Sequence, residues 1–225
     1  MKISILTLFP EMFEGPFDYS IINQAIDKKK VNIEFINIRN FGIGKHKVVD
    51  DKPYGGGHGM ILRVDVMEQA ISKTKDKELN SENQRTILLS PHGKTFNQKK
   101  AKELSMLSHL ILVCGRYEGV DERAKQFIDE ELSIGDFILT GGEIPAMLVT
   151  DAVVRLIPGV LKAGVTSNES FSPLLEYPQY TKPDNYKNLK VPPILLGGHH
   201  GKIKLWRDNQ TLISTTKLRP DLLKP

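Results

Sequence analysis

The sequence predicts an α/β fold with a mainly parallel sheet, followed by a small C-terminal helical domain. Short apolar runs rich in β-branched residues alternate with segments of helical periodicity, the order expected of parallel strands joined by helices. Several of these runs end in loops rich in glycine, proline or serine. Towards the C-terminus the pattern changes, because prolines interrupt the chain and basic residues accumulate there.

Each predicted strand is a short apolar run that a turn signal closes. The first ends at Phe9-Pro10, and the second alternates apolar with polar side chains. The fifth is predicted to be a buried strand that leads into the turn Thr140-Gly141-Gly142. The five predicted strands are residues 2–9, 31–38, 86–89, 109–114 and 133–139.

The predicted helices lie between and after these strands. The last begins at Glu143, because an acid in the first turn suits the helix dipole, and Pro158-Gly159 is expected to end it. Residues 39–59 and 73–85 are predicted loops, and a loop as long as the first is usually functional or disordered. The five predicted helices are residues 19–30, 66–75, 97–107, 121–128 and 143–157.

Three loops in the middle of the chain predict one ligand pocket. Residues 90–93, 115–119 and 140–142 each follow a predicted strand and contain glycine. In an open α/β sheet, ligands bind outside the carboxyl ends of the strands, so these loops are expected to share a site. Taken alone, a strand, a Gly-Gly pair and a helix also fit an ordinary α/β turn.

Other common ligand motifs are absent or incomplete. The dinucleotide fingerprint fails at Leu62, and the phosphate-loop pattern at residues 93–95 lacks its first glycine because Leu88 occupies that position. The histidines lack metal-ligand spacing, and the single cysteine, Cys114, allows neither an internal disulfide nor a thiolate metal site. The residues themselves therefore predict no bound metal.

The composition predicts a cytoplasmic protein without a membrane segment. Hydrophobic residues make up 40% and charged residues 26% of the chain, and no apolar run approaches the roughly 20 residues that cross a bilayer. The first residues, MKISILTLFPEMF, lack a small-residue cleavage site, so they are interpreted as a strand rather than a signal peptide.

The net charge of +4 arises in the last third of the chain. Residues 159–225 contain 10 Lys and Arg against 5 Asp and Glu, whereas residues 1–158 contain the remaining 21 and 22. This asymmetry favours a surface that faces a polyanion, although a merely solvated basic face would give the same count.

Three motifs resemble one enzyme family. They are VDDKPYGGG at residues 49–57, LVCGRYEGVDER at residues 112–123, and SIGD followed by GGE within residues 133–143. They are similar to the bacterial tRNA (guanine-N1)-methyltransferases of the knotted, or SPOUT, superfamily, and the resemblance extends from Leu6 to about Leu223. It implies a deep trefoil knot in the α/β domain and a homodimer with its active site at the subunit interface.

The resemblance also implies the reaction: methylation of guanine N1 in tRNA by S-adenosylmethionine, at the guanosine just 3′ of the anticodon. It suggests a role for Mg²⁺ as well. The alternatives are a catalytically weak RNA-binding protein on the same fold and a knotted methyltransferase acting on ribose 2′-oxygens. A carboxylate, Glu118 or Asp136, is expected near the positive sulfonium. By resemblance, the cofactor-binding residues are Leu88, Leu89, Ser90, Pro91, Gly115, Tyr117, Glu118, Ile134, Gly135, Asp136, Phe137, Ile138, Leu139, Gly141, Gly142 and Pro145.

The implied chemistry requires a base and a cation. Guanine N1 carries a proton at neutral pH, and negative charge builds on O6 once that proton leaves. By resemblance, Glu169 occupies the position of the family's aspartate base and Arg155 that of its catalytic arginine. From the residues alone, Glu169 also fits a surface acid in a flexible linker, and Arg155 a structural ion pair with Asp151 at i−4.

The resemblance divides the chain into three parts: a knotted cofactor-binding domain of residues 1–159, a linker of residues 160–172 and a basic helical domain of residues 173–225. The last part is expected to bind the anticodon arm. The chain ends earlier than many relatives, which predicts an effect on tRNA affinity rather than on chemistry. The residues assigned to tRNA binding are Asp51, Gly59, His200, Lys202, Lys204 and Arg207.

Overall fold

The computed structural model describes residues 1–223 and separates the chain into two compact units, Met1–Leu161 and Lys162–Pro225. The first unit confirms the predicted α/β fold. Its strands are β1 (Lys2–Thr7), β2 (Asn32–Asn37), β3 (Asp50–Asp51), β4 (Ile61–Leu62), β5 (Gln84–Thr95), β6 (His109–Cys114) and β7 (Glu130–Ser133). Its α-helices are α1 (Ser20–Asp27), α2 (Val64–Thr74), α3 (Gln98–Leu104) and α4 (Glu143–Val154).

Five strands form one sheet in the order β2-β1-β6-β5-β7, and every neighbouring pair in it is parallel. In the middle of the sheet, Ile5 of β1 lies beside Phe35 of β2 and Leu112 of β6. The short strands β3 and β4 form a separate antiparallel pair. Because the five strands are parallel, all their carboxyl ends meet at one edge, where the predicted ligand loops lie.

Helices cover both faces of the sheet, as the buried strands of a parallel sheet require. On one face, Ile5 and Leu112 belong to a cluster with residues of α1, α3 and α4. On the other face, Leu6 and Val113 belong to a second cluster with residues of α2. Successive residues enter opposite clusters because side chains alternate along a strand. With both faces covered, the strand ends are the natural place for a ligand.

The predicted loop at residues 90–93 lies inside β5, which continues to Thr95 after a register shift between Leu89 and Lys94. Gly93 permits this bulge, because a Cβ at that position would collide with the backbone of Leu132 in β7. The strand therefore passes the pocket edge as a bulge, where the sequence predicts that it ends in a loop.

The predicted fifth strand at residues 133–139 is wrong. The strand is β7, which ends at Ser133, and the chain then leaves the sheet through Gly135, whose φ of 143° suits glycine. Phe137 and Ile138 are 54% and 81% exposed. Periodicity alone cannot distinguish an apolar run that is buried in a sheet from one that lines an open pocket.

Two helix predictions change in detail. The helix α4 begins at Glu143 as predicted, but it ends at Val154, three residues before the predicted end. Beyond it, backbone N–H groups donate to carbonyls three residues back, a tightening that is common at helix ends. The predicted helix at residues 121–128 is a 3₁₀ helix, Glu122–Phe127, with the Asp121 side chain at its N-terminus.

The second unit contains a hairpin in addition to the predicted helices. Among its described residues, Thr215 alone is buried, so the apolar side chains of this unit are largely accessible. Residues 224–225 of the predicted domain lie outside the described residues. In residues 1–223 no helix has both the length and the apolar character that a bilayer-spanning segment needs. The elements of this unit are β8 (Asn185–Tyr186), β9 (Leu189–Lys190), α5 (Pro193–Leu196) and α6 (His200–Leu218).

Candidate active site

A pocket of about 410 Å³ opens beside the bulge in β5 and the carboxyl end of β6, next to the first turn of α4. Its walls come mainly from residues 88–92, 115–120 and 131–142. All the residues assigned to the cofactor by resemblance line it except Asp136, which is exposed and is not part of the wall. The structure therefore brings the three predicted loops together at one site.

Glycines let these loops approach one another closely. The N–H of Gly142 donates to the carbonyl oxygen of Gly115 at 2.9 Å. A Cβ on Gly142 would lie 2.6 Å from Cα of Cys114, a distance that real Cβ atoms do not show. A Cβ on Gly115 would have one neighbour within 4 Å, the carbonyl oxygen of Leu89 at 3.6 Å. Gly142 is thus required for packing, whereas Gly115 leaves open space.

An ion pair between Arg116 and Glu143 joins the 115–119 loop to the start of α4. Nε of Arg116 lies 2.9 Å from Oε2 of Glu143, whose side chain is only 1% exposed, without the alignment of a hydrogen bond. The Thr7 hydroxyl, at the end of β1, donates to Oε1 of Glu143 at 2.8 Å. Arg116 Nη1 also donates to the carbonyl oxygen of Thr140 at 3.1 Å. This buried pair connects the ends of β1 and β6 to the start of α4.

The role of this pair is not predicted from the sequence, in which Glu143 is expected only to suit the dipole of α4 and Arg116 has no assigned role. The one signal in the sequence is that Arg116 lies in a glycine-containing loop and Glu143 directly follows another, and both loops are predicted to share a pocket. The guanidinium of Arg116 also lies over the ring of Phe9, 4.6 Å from its centroid, which fixes the side chain further.

Backbone strain marks the 115–119 loop. Tyr117 has a φ of 59°, in the left-handed region that residues other than glycine rarely occupy and that clusters at functional sites. The next residue, Glu118, donates its N–H to the carbonyl oxygen of Met60 at 3.0 Å. Gly59, a predicted tRNA contact, has a φ of 83° and lies against the Glu118 side chain. These contacts hold the end of the long loop beside the pocket.

Carboxylates outnumber cations on the pocket wall. Lys125 Nζ lies 3.0 Å from the carboxylates of both Glu122 and Glu131, and these hydrogen bonds raise the pKa of Lys125. Arg116 is paired as described above. Glu118 has no ion-pair partner within residues 1–223, so its carboxylate is the charge on the wall that a cationic ligand can meet.

Cys114 ends β6, immediately before the pocket residue Gly115, and is fully buried. Burial, with a smaller contribution from the nearby Glu143 charge, raises the pKa of its thiol well above the ordinary value. A buried thiol that stays protonated is a poor nucleophile, so Cys114 is a core residue and not a covalent catalyst.

The predicted catalytic residues belong to different units. Arg155 directly follows α4 at its C-terminal end, in the first unit, and its side chain is half-buried. Glu169 follows the 3₁₀ helix Val165–Ser167 in the second unit and is also half-buried; its carbonyl oxygen accepts from the N–H of Ser172 at 3.1 Å.

The predicted tRNA contacts are exposed and partly engaged with neighbours. Oδ2 of Asp51 lies 3.2 Å from Nη1 of Arg63. On the first half of α6, Lys204 Nζ lies 2.7 Å from Oδ2 of Asp208. His200, Lys202 and Arg207 are exposed on the same helix. Within residues 1–223, no group of three or more His, Cys, Asp or Glu side chains is arranged to hold a metal ion.

The comparisons with a family model and with individual proteins name the same kind of enzyme. The family model described as tRNA (guanine-1)-methyltransferase TrmD matches residues 1–225. A tRNA (guanine-N(1)-)-methyltransferase of Carboxydothermus hydrogenoformans is 55% identical over 227 residues, covering 100% of this chain and 88% of the relative. Proteins of the same name from Dictyoglomus turgidum and Staphylococcus epidermidis are 53% and 50% identical, covering 100% of this chain and 90% and 91% of their own length.

These relatives match the chain from end to end, and the residues that form the pocket lie within the matched region. The three glycine-containing segments, the strained loop at Tyr117 and the buried Arg116–Glu143 pair all lie at that one pocket. Because the family model matches all 225 residues and the relatives are 55% and 53% identical in sequence, the chain belongs to the tRNA (guanine-1)-methyltransferase family.

Proposed function

We propose that this chain transfers a methyl group from S-adenosylmethionine to N1 of guanine in tRNA, at the guanosine just 3′ of the anticodon. The observation that carries the proposal is a pocket formed by the three glycine-containing segments, with the acid Glu118 on its wall, in a chain of this family. A methyltransferase of this family implies S-adenosylmethionine as the methyl donor.

The pocket residues fit that donor. Adenosine needs an apolar slot with backbone hydrogen-bonding groups, which Leu88, Pro91 and Ile134 offer together with the adjacent glycine turns. The space beside Gly115 leaves room for a ligand against the backbone. Glu118 offers a negative charge to a positive sulfonium, and it is better placed than Asp136, which is not part of the wall.

When bound, S-adenosylmethionine supplies an electrophilic methyl group, and the chain's own residues must prepare the guanine. We assign Glu169 to take the proton from N1, since a carboxylate can act as a general base. We assign Arg155 to stabilise the charge that builds on O6, since its planar guanidinium can donate two hydrogen bonds to one region. Mg²⁺, which the resemblance suggests, finds no three-ligand cluster in residues 1–223, and no step is derived through it.

A homodimer is part of the proposal. Its support is an exposed apolar pair on α4, Ile144 and Leu148, which are 50% and 44% exposed and lie four residues apart on one face. Asp151 and Arg155 continue this face at i+7 and i+11. Apolar surface of this kind is typical of a subunit interface, and Arg155 would then lie beside it.

The trefoil knot and the three-part division at residues 159–160 and 172–173 also belong to the proposal. The support for the knot is the route of the chain. After β7 at the sheet edge, the chain returns past the ends of β5 and β6 and enters α4, which packs on β6 and β1. The support for the division is the positive charge that residues 159–225 carry.

The proposed reaction is tested by incubating the protein with methyl-labelled S-adenosylmethionine and bulk tRNA, followed by nucleoside analysis. We expect label in N1-methylguanosine. Label in 2′-O-methylated ribose would instead support a ribose methyltransferase. Tight tRNA binding without any label would support an RNA-binding protein that has lost turnover.

The roles of the residues are tested by single-turnover kinetics on Glu169→Gln. This variant keeps size and hydrogen bonding but cannot accept a proton at neutral pH, so we expect a rate at least about 100-fold below wild type. Glu169→Asp should keep partial activity, because the carboxylate remains but is displaced by about 1 Å.

Glu176→Gln is the matched control, since Glu176 lies in the same unit and is also half-buried. Its rate should equal that of wild type. A Glu169→Gln rate within about threefold of wild type, at saturating tRNA and cofactor, would show that another group removes the proton.

A further inference from the structure

The short strand β4 lies between the cofactor pocket and the long loop of residues 39–59. On one side it pairs antiparallel with β3, where Asp50 lies opposite Leu62. On its other side, Leu62 forms a parallel bridge with Val120, which lies on the pocket wall. The strand has no role in the chemistry assigned above, so its contribution can be sought in what it connects.

Three backbone hydrogen bonds join β4 and the residue before it to the pocket loop. The N–H of Glu118 donates to the carbonyl oxygen of Met60 at 3.0 Å. The N–H of Leu62 donates to the carbonyl oxygen of Gly119 at 3.0 Å. The carbonyl oxygen of Leu62 accepts from the N–H of Asp121 at 2.9 Å. The backbone at and after Glu118 is therefore placed by the register of β4.

Arg63 fixes the other side of this strand. Its N–H donates to the carbonyl oxygen of Val49 at 2.9 Å, which extends the pairing of β3 with β4 by one residue. Its guanidinium lies between two acids. Nη1 is 3.2 Å from Oδ2 of Asp51, and Nε and Nη2 donate to the two carboxylate oxygens of Asp65 at 3.0 and 2.8 Å. Since Asp65 lies in the first turn of α2, Arg63 ties the base of the long loop to that helix.

The connection from Arg63 to the pocket has little freedom to move. Val49 and Leu62 are 1% and 0% exposed and belong to the core cluster beside α2. The side chain of Arg63 is 32% exposed, so solvent screens its ion pairs only in part. A Cβ on Gly59 would lie 2.6 Å from Cγ of Glu118, so the chain that enters β4 also touches the side chain of this acid.

We propose that Arg63 is a positioning residue for the cofactor site. It holds β4 in register between β3 and the segment that follows Glu118, and through β4 it sets the place of the Glu118 carboxylate. Because the attraction between two charges depends on their separation, a displaced carboxylate attracts the sulfonium less strongly. The inference rests on the proposed function, which supplies a cofactor with a positive sulfur.

The charge of the ligand distinguishes this role from support of the fold alone. S-adenosylmethionine has a positive sulfur, whereas S-adenosylhomocysteine, which lacks the methyl group, has a neutral one. A change in the shape of the pocket alters the affinity for both ligands, but a displaced Glu118 carboxylate weakens only the binding of the charged one. The ratio of the two dissociation constants, here called the charge preference, therefore reports where this carboxylate lies.

The experiment measures the charge preference by calorimetry. Arg63→Met keeps an apolar stem without the guanidinium, and it should lower the preference about threefold to fivefold, the most that a partly exposed ion pair usually contributes. Glu118→Gln should lower it at least as far, and adding Arg63→Met to that variant should change it no further. Arg63→Lys keeps the charge but loses the planar fork, so its preference should lie between those of wild type and Arg63→Met.

Arg123→Met is the matched control. Arg123 also holds an aspartate two residues away, Asp121, through Nε and Nη2, but this pair stays within one segment. Both variants remove a positive charge, and that loss by itself favours a cationic ligand, so a lower preference in Arg63→Met cannot arise from net charge. The preference of Arg123→Met should not fall below that of wild type. An equal decrease in both variants would overturn the proposal.

The outcomes separate this proposal from the proposed function. If wild type forms N1-methylguanosine and Arg63→Met keeps the wild-type preference, the reaction stands and the positioning role fails. If the preference falls as expected but no N1-methylguanosine forms, the positioning role stands and the proposed function fails. A wild-type preference in Glu118→Gln would also overturn the positioning role, because the carboxylate would then have no effect to position. Should thermal melting show that Arg63→Met does not fold, an unchanged preference in Arg63→Lys overturns the proposal.

Discussion

Gly115 and Gly142 lack side chains for different reasons, and this difference can be measured. At Gly115 a methyl group meets only the Leu89 carbonyl, so Gly115→Ala should fold normally and place its methyl in the ligand space. We expect S-adenosylmethionine affinity at least about tenfold lower, a loss of roughly 1.4 kcal/mol. Calorimetry and thermal melting measure both quantities.

Gly142→Ala is the contrasting variant. Its Cβ would lie 2.6 Å from the backbone of Cys114, so the strain should lower the unfolding free energy by about 1–3 kcal/mol. If Gly115→Ala melted as low as Gly142→Ala while retaining full affinity, the assignment of open ligand space beside Gly115 would be wrong.

The buried Arg116–Glu143 pair gives a second prediction at the residue scale. Arg116→Met leaves a carboxylate that is 1% exposed without its cation, a change that typically costs about 3–5 kcal/mol. Replacing both residues by methionine should recover much of that loss, because no buried charge remains. Chemical denaturation of the single and double variants tests this order.

An exposed pair supplies the control for that measurement. Lys204→Met removes the partner of Asp208 on α6, where the side chains are 78% and 59% exposed, and it should cost at most about 1 kcal/mol. Equal losses for Arg116→Met and Lys204→Met would mean that burial does not strengthen the Arg116 interaction.

The sequence was informative about single residues where a local rule applies. Glycines after strands predicted the three loops that meet at the pocket, and Glu143 was correctly placed in the first turn of α4. The partner of Glu143 was not predictable in this way. Arg116 lies 27 positions earlier in the chain. No sequence periodicity links these two residues, because the order of the strands in the folded sheet brings them together.

At the scale of elements, strand existence was predicted better than strand ends. The strand β6 matches residues 109–114, because this apolar run is buried on both faces. The errors fall at the pocket edge, where β5 continues through a bulge and residues 134–139 leave the sheet. Both errors have one cause, since residues there are selected for a ligand surface and not for a regular strand.

The side chain of His109 links three neighbouring strands through hydrogen bonds, and its burial predicts how the stability of the fold depends on pH. His109 begins β6, is 1% exposed, and lies 2.8 Å from both Ser4 Oγ in β1 and Gln84 Oε1 in β5. Burial, with a smaller contribution from the positive charge of Lys2, lowers the pKa of His109 below its ordinary 6.5. The folded state therefore holds the neutral ring, while the unfolded chain binds a proton.

The direction of the pH dependence follows from that difference in proton binding. The contribution of His109 to the free energy of unfolding is fully present above pH 6.5. It falls as the pH drops towards the lowered pKa of the folded state, by at most about 1.4 kcal/mol per pH unit. Denaturation of wild type between pH 7.5 and 5 should show this slope, and His109→Gln should flatten it. His46→Gln, at an exposed position, should keep the wild-type slope.

Two carboxyl groups with lowered pKa values do not contribute to the slope of stability between pH 7.5 and 5. Arg63 lowers the pKa of Asp65 and Arg123 that of Asp121, both from an ordinary value of 3.8. Their stabilising contributions are lost only as the pH falls below that value. A wild-type slope between pH 7.5 and 5 that persists in His109→Gln would assign it to another group.

At the scale of the whole molecule, composition and geometry inform different parts of the proposal. The excess of basic residues after residue 159 favours a polyanion partner, and this assignment stays a prediction. Composition could not predict the exposed apolar face of α4, because Ile144 and Leu148 follow the same helical pattern as the buried residues beside them. That face becomes visible only once the fold shows which side of the helix is covered.

The dimer prediction follows from this face. Ile144→Glu with Leu148→Glu adds two charges where the side chains are 50% and 44% exposed, so each protomer should keep its fold. Charges in an apolar interface are costly to desolvate, so ultracentrifugation should show monomers. Methyl transfer should fall at least about 100-fold, because Arg155 on the same helical face would lose its interface.

Cofactor affinity separates this outcome from simple misfolding. The pocket at β5, β6 and α4 is formed within the first unit, so the double variant should bind S-adenosylmethionine within about threefold of wild type. Met106→Glu is the control for an added charge, since Met106 is 75% exposed and lies off α4, just after α3. It should remain dimeric and active. A double variant that stays dimeric, or a monomer that methylates tRNA at the wild-type rate, would show that the Ile144–Leu148 face does not build the active site.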